Sequence, residues 1–290
     1  MLAVVLLSGC SFKRMGLERM ADAVSATATA YGRDNDPEFV RLGAPATLKM
    51  VEMLLDQGPD HRGLLLTACS GFAQYAYAFL QADAELVTQN SPADARAIRR
   101  RASMMYERSR AYCLRGLELS LPGIGTSLAG GKAEARKAAL ARAGRSDVPL
   151  LYWAAAAWGG SLAVADNPLM RVGEIGAIRA LLERALELDE AWESGALHEL
   201  MIGVEGLPAL VGGSPQRARA HFDRAVLLSE GQSAFAYVTM ATSVSDSAEA
   251  ERLLKAALAV DVEKRPAIRL ANLIAQKRAR HLLAKPAPPR

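Results

Sequence analysis

The chain has 290 residues, 51% of them hydrophobic, 23% charged and 6% aromatic. That is ample apolar material for a continuous core, and the dominance of alanine and leucine favours helices over sheets. With 35 Lys and Arg against 31 Asp and Glu the formal charge is +4, a mild excess that argues against nucleic acid as a partner, since nucleic-acid proteins concentrate far more charge on one face.

The N-terminus opens on an apolar run from Met1 to Leu7, followed by Ser8, Gly9 and Cys10. The run is far shorter than the about 20 residues a membrane-spanning helix needs, but it fits the apolar part of a secretory signal. The tetrad Leu7-Ser8-Gly9-Cys10 resembles a bacterial lipobox, in which signal peptidase II cuts before the cysteine and lipid is attached to its sulfur. No Lys or Arg precedes the apolar run, which suggests a true start further upstream. Lipidation would make Cys10 a membrane anchor, because each buried CH₂ contributes about 0.8 kcal/mol. Ser11 is not the Asp that retains lipoproteins in the inner membrane, so the expected address is the periplasmic side of the outer membrane. Cys69 and Cys113 remain as a pair in an oxidising compartment. Both fall in helical patterns, which reads as two buried free thiols rather than a disulfide.

Residues 11–36, rich in Ala, Ser and Thr, read as a tether and first helix. Asp36-Pro37 opens the next helix, with Pro in the first turn, and Gly58-Pro59 ends it. A longer helix is predicted from about His61 to Glu85, carrying Phe72, Tyr75, Tyr77 and Phe79. Ser91-Pro92 caps another that runs to about Leu119, and Leu121-Pro122-Gly123 stops it. Residues 123–148 are small and basic with few large apolar side chains, and read as a polar excursion on the surface. From Asp147 the apolar helical pattern resumes, and 285–290, Lys-Pro-Ala-Pro-Pro-Arg, reads as a disordered tail.

The pattern A-x3-F-x2-A marks the second helix of a TPR unit, where small alanines let two antiparallel helices approach. Three copies occur: Ile178, Leu182 and Ala185; Ala218, Phe222 and Ala225; Ala250, Leu254 and Ala257. The spacings, 40 and 32 residues, straddle the period of about 34 of a regular array. Candidate partner helices span 149–165, 194–210 and 232–243, with 266–283 as a cap. No alternating strand pattern appears. The expected fold is all-α, a TPR-like α-solenoid of antiparallel helix pairs with extra flanking helices. Its parts are a signal peptide over 1–9, a tether and first helix over 10–36 and one helical domain over 37–284. The regular repeats occupy 149–284.

No catalytic constellation emerges. His61, His198, His221 and His281 are scattered, with no HExxH and no Cys/His cluster at zinc spacing, so neither a metal nor a cofactor is expected. Gly131-Lys132 fails as a P-loop, because the required first glycine is Thr126 and Ala133 follows the lysine. His198, on a helix rich in Gly and Leu, reads as a packed or hydrogen-bonded side chain. Two features suit binding. The helix Leu150 to Gly159 holds Tyr152, Trp153 and Trp158 among alanines; bulky rings beside small residues either line a groove for an apolar ligand or simply pack between helices. The run Arg96, Arg99, Arg100, Arg101, Arg108, Arg110 and Arg115 either meets an acidic partner or anionic lipid or forms a solvated helix face.

Several segments, taken in order, resemble the T-component family of tripartite ATP-independent periplasmic (TRAP) transporters. They are Asp147-Val148-Pro149 leading into Leu151-Tyr152-Trp153 and Trp158-Gly159, then Glu183 to Asp189, Ser194-Gly195-Ala196-Leu197-His198, Gly212-Gly213-Ser214-Pro215, and Ala218 to Phe222. The resemblance spans roughly 37–284. It implies a non-enzymatic periplasmic lipoprotein that associates with the transporter's solute-binding subunit. It also implies a homo-oligomer, a trimer, with a pore for an apolar small molecule near Tyr152, Trp153 and Trp158. One departure is Glu190, where a proline commonly ends the helix. A different expectation for the same features is a TPR lipoprotein scaffold that grips peptides or proteins in envelope assembly.

Overall fold

A computed structural model describes residues 19–21, 23–24, 28–88, 91–130 and 132–284. The signal peptide, Cys10 and the tail 285–290 lie outside the described residues. Among the described residues the chain is all-α, with no strand. The helices are α1 (Ala28–Gly32), α2 (Pro37–Gln57), α3 (Arg62–Val87), α4 (Pro92–Glu118), α5 (Ile124–Gly130) and α6 (Ala133–Leu140), then α7 (Val148–Ala163), α8 (Ile175–Asp189), α9 (Ala196–Glu205), α10 (Pro215–Leu228), α11 (Ala234–Ala241), α12 (Ser247–Ala259) and α13 (Arg269–Ala284).

The helix starts follow from local chemistry. Asp36 accepts from the amides of Glu38 and Phe39, Ser214 from Arg217 and Asp246 from Ala248 and Glu249, each satisfying donors the first turn leaves free. α3 is the described helix long and apolar enough to span a bilayer. Most of its apolar window is buried, with Leu64, Leu65, Ala68 and Phe72 packed on Leu48, Val51 and Leu55 of α2. It is a core helix.

Each repeat signature faces the interior. Ile178, Leu182 and Ala185 are buried, as are Ala218, Phe222 and Ala225, and Leu254 and Ala257; Ala250 is half-buried. Helix α8 packs on α7 and α9, α10 on α9, and α12 on α11, so neighbours in sequence are neighbours in space. The Gly212-Gly213 turn needs its second glycine for a close approach: a Cβ there would stand 1.7 Å from the Leu207 carbonyl oxygen.

Segment 123–148 is less detached than its composition suggests. Ile124, Leu128, Leu140 and Ala143 are buried in the same core as Leu151 and Leu181. Four apolar anchors suffice to seat two short helices whose other residues are polar.

The cysteines correct the free-thiol expectation. Cys69 on α3 and Cys113 on α4 form a disulfide, with their Cα atoms 4.9 Å apart. Helical periodicity placed both inside, but it carries no information on which residues of two packed helices face each other. Closing a loop of 44 residues stabilises the fold by about 4 kcal/mol in the chain-entropy picture.

The chain also closes on itself. In an open solenoid each repeat touches only its neighbours, whereas here α13 packs on α1 and α2 as well as on α11 and α12. Ile274 is buried with Val40, Ala44 and Phe79, Arg269 donates to the Arg33 carbonyl at 2.9 Å, and Lys277 pairs with Glu38 at 3.3 Å. The last helix thereby brings the two ends of the described chain together.

Candidate functional site

The tryptophan helix α7 is fixed at its start. Asp147, 3% exposed, accepts from Arg62 at 2.7 Å, from the Ser120 hydroxyl at 2.7 Å and from the Gly144 amide at 2.9 Å. Burial works to raise its pKa, but these donors prevail and hold it below the usual carboxylate range. With its start pinned, α7 buries Leu150, Leu151, Ala154, Ala155, Ala157 and Trp158 and leaves Tyr152, Trp153 and Ala156 half-buried.

The three aromatic residues of α7 separate into two settings. Tyr152 and Trp153 meet edge to face, ring centroids 4.8 Å apart, and Tyr152 also packs on Trp192 at 4.6 Å. Trp158 joins a polar network instead. Its Nε1 donates to Glu174, Arg110 lies 4.8 Å over its ring, and Arg171 donates to Glu174 at 2.8 Å through both Nε and Nη2. Tyr152 and Trp153 are half-buried against each other; Trp158 ties α7 to the turn before α8.

The structure adds residues that the sequence left unassigned. Trp192 is set by a turn in which Glu193 (φ 45°), Ser194 (φ 56°) and Gly195 (φ 97°) all occupy the left-handed region, unfavourable for the first two. Gly195 is required there, and its missing side chain also lets Leu228 approach. Glu199, on the first turns of α9, is 8% exposed. Burial pushes its carboxyl up to about 7, against the Ser233 hydroxyl and the more distant Arg265. The Tyr152 hydroxyl is driven well above the usual phenol range, by burial first and then by Glu199 and Glu193.

A second arc of the interior comes from α3. Residues Ala76–Gln81 form a π-helical turn, a local widening and underwinding of the helix often found at functional positions. It presents Tyr77, half-buried, against Phe235 of α11, ring centroids 5.5 Å apart. Arg278 of α13 donates to the Tyr77 hydroxyl at 3.2 Å and forks onto Glu85. Beside them, a cavity of about 10 Å³ lined by Tyr77, Gln81, Glu85, Ile274 and Arg278 has room for one water. Burial raises the Tyr77 pKa, Arg278 opposes it, and Glu85 and Glu199 add to it. Tyr77 and Tyr152 thus both feel the charge of Glu199.

The arginine run disperses. Arg108 pairs with Glu52 and covers Phe72, Arg110 pairs with Glu107, and Arg115 donates to the Pro59 carbonyl and covers Tyr112. Arg100 approaches Asp166 at 3.9 Å and Arg99 the Thr88 hydroxyl at 3.5 Å. Its lower half is thus spent on internal contacts. His198 is buried and hydrogen-bonded as expected, with its Nδ1 2.7 Å from Nδ1 of His221 and its Nε2 3.2 Å from Glu190. Burial lowers the pKa of both histidines. Among the described residues no group of three or more His, Cys, Asp or Glu is placed to hold a metal ion.

The profile of the TRAP transporter T-component family matches residues 33–287. This chain belongs to that family. The T-component is thus an accessory subunit of a bacterial membrane transporter. It is 27% identical over 299 residues to a protein of Treponema pallidum (strain Nichols) described as uncharacterized, covering 97% of this chain and 93% of that one. The match takes in both arcs of the interior, from Tyr77 to Arg278.

Proposed function

We propose that this T-component is a lipid-anchored, periplasmic accessory subunit that associates with the solute-binding subunit of its transporter. In this reading it holds a small, largely apolar molecule against the half-buried rings of Tyr152 and Trp153. The observation that carries the reading is the family match across 33–287. The Cys69–Cys113 disulfide supports an oxidising compartment, since such bonds persist outside the reducing cytosol. Cys10 is the proposed lipid attachment point, Ser11 after it favours the outer membrane, and a homotrimer is the proposed assembly.

Affinity capture from detergent-solubilised membranes tests the core of this reading. Recovery of a periplasmic solute-binding protein supports it; recovery of envelope-assembly factors alone would overturn it in favour of a scaffold. The Cys10→Ala variant should move to the soluble periplasmic fraction, and retention in the membrane would exclude the lipid anchor. Light scattering of the purified protein reads the trimer directly.

A further inference from the structure

The three most exposed large apolar side chains among the described residues are Leu210, Met170 and Leu169, at 97%, 86% and 82%. Topology gathers them at one end of the helix stack. Arg145, just before α7, meets Asp189 at the end of α8 at 3.0 Å. Arg179 near the start of α8 and Arg217 near the start of α10 both pair with Glu205 at the end of α9. Helices α7 to α10 therefore alternate in direction, and the α7–α8 and α9–α10 turns share an end. Both turns are held from behind. Arg171 donates to Glu174 and to the Ser161 hydroxyl at 2.8 Å, and Arg179 donates to the Gly212 carbonyl at 3.1 Å. The apolar tips are fixed points on a firm base.

The first turns of α4 bring cations to the same end. Ala102 is buried with Val164, and Arg100 approaches Asp166 at 3.9 Å, which sets the start of α4 beside the α7–α8 turn. Arg96, Arg100 and Arg101 are exposed, and among the described residues Arg96 and Arg101 have neither an ion pair nor a hydrogen bond. Over 91–101 and 164–170 four arginines stand against two acids, Asp94 and Asp166. The other exposed apolar row, Phe39, Leu42, Met50 and Met53 on α2, has no such cations to spare: Arg41 pairs with Glu38 and Asp83, and Lys49 with Glu52.

We propose that this end of the molecule is a membrane-facing surface. Leu169, Met170 and Leu210 enter the interfacial region of an anionic phospholipid bilayer, and Arg96, Arg100 and Arg101 meet its headgroups. Apolar side chains at the acyl boundary and arginines at the lipid phosphates act together in peripheral binding. Charge complementarity selects an anionic surface, and shape selects lipid over protein. Two consecutive, nearly bare apolar side chains form a point, which a bilayer accepts without the matching pocket that a protein partner must supply. The contact goes beyond the proposed anchor at Cys10 and depends on neither that anchor nor the solute-binding subunit. It fixes which way the subunit faces on the membrane, which a single attachment point does not.

An environment-sensitive fluorophore on the full chain tests this. Cys10→Ala removes the lipid, and the Cys69–Cys113 disulfide leaves an introduced Met170→Cys as the thiol to label. Equimolar phosphatidylcholine–phosphatidylglycerol vesicles should shift its emission to the blue and shield it from iodide; phosphatidylcholine vesicles should do neither. The same label on Leu227→Cys, exposed at the far end of α10, should stay in water. Vesicle affinity read at position 170 should fall about 25-fold when Arg96→Gln and Arg101→Gln are combined, about fivefold for each charge. It should fall at least tenfold when Leu169→Gln and Leu210→Gln are combined. All four side chains are exposed, so the melting curves should match the parent's. Emission at 170 that ignores the vesicles, responds equally to both kinds, or moves together with that at 227 overturns the proposal. So does a label shielded by the solute-binding subunit and not by vesicles, a result that makes this end the protein interface and leaves the proposed function standing.

Discussion

Arg278, twelve residues before the last residue of the sequence, forks onto Glu85, 193 positions earlier, with Nε and Nη2 at 3.0 and 3.1 Å from the two carboxylate oxygens. The pair is largely shielded, 20% and 26% exposed, and its guanidinium also reaches the Tyr77 hydroxyl. It joins the last helix to the π-helical turn of α3 and so ties distant parts of the chain together.

Removing one partner should loosen that closure. Arg278→Leu leaves Glu85 half-buried without its cation, and partial solvent screening places the loss at about 1–2 kcal/mol rather than the larger value of a fully buried pair. For a domain of this size that corresponds to a fall in Tm of roughly 2–8 °C. Hydrogen exchange should rise in α13 and around Tyr77 before it rises in α8 or α9. A double-mutant cycle with Glu85→Gln that returns no coupling would mean that the fork contributes nothing to closure.

The disulfide makes a larger claim. Reducing it, or replacing Cys69 and Cys113 by serine, should destabilise the fold by up to about 4 kcal/mol, with serine hydroxyls in an apolar site adding to the loss. Differential scanning calorimetry with and without reductant reads this directly. A thiol titration of the native protein should find neither cysteine free.

Much of the fold was legible in the sequence, for reasons that can be named. Pro at the first turn after Asp36 and Ser91 marked two helix starts to the residue, and the alanine-spaced signatures identified the buried faces of α8, α10 and α12. What escaped depended on distant contacts. Periodicity could place Cys69 and Cys113 inside but could not pair them. Nor could it reveal that α13 returns to α2, because Ile274 against Val40 is a relation between elements more than 230 residues apart. Tyr152, Trp153 and Trp158 were visible as rings among alanines, but only the packing separates Trp158, bonded to Glu174, from the mutual ring contact of Tyr152 and Trp153. Trp192 and Glu199 carried little local signal beyond a tryptophan just past a helix end and an acid inside an apolar helix.

Glu199 should leave a signature in the dependence of stability on pH. Its carboxyl titrates near 7 in the fold, against about 4.3 when unfolded. An acid with a raised pKa is bound to its proton more tightly in the native state, so its contribution is fully present below the unfolded pKa. It is lost as pH rises through about 7. The loss across that window is on the order of 4 kcal/mol as an upper bound. The histidines oppose this slope, because burial lowers their pKa values and favours the fold as pH rises. The informative quantity is therefore the difference between the protein and Glu199→Gln, measured by denaturant unfolding from pH 5 to 8. The variant should gain relative stability toward pH 8; a constant difference would show that Glu199 does not titrate there.

Trp158 provides the contrast that separates structure from binding on one helix. Trp158→Phe keeps a ring under Arg110 but removes the Nε1 donor to Glu174, whose pKa is held low by Arg171 first and then, against burial, by Trp158 and Arg110. Losing a hydrogen bond to a charged group and part of a buried ring should destabilise the protein by about 2 kcal/mol. Arg171 still neutralises Glu174, which keeps the loss from growing further. Because Trp158 faces the turn before α8 and not the rings of Tyr152 and Trp153, the variant should bind small-molecule probes with unchanged affinity once folded. Trp153→Leu should show the reverse balance, losing affinity while retaining most of its stability, since Trp153 is only half-buried. Measured side by side, a Trp158→Phe variant that loses affinity as Trp153→Leu does would return Trp158 to the ligand site and remove the division drawn along α7.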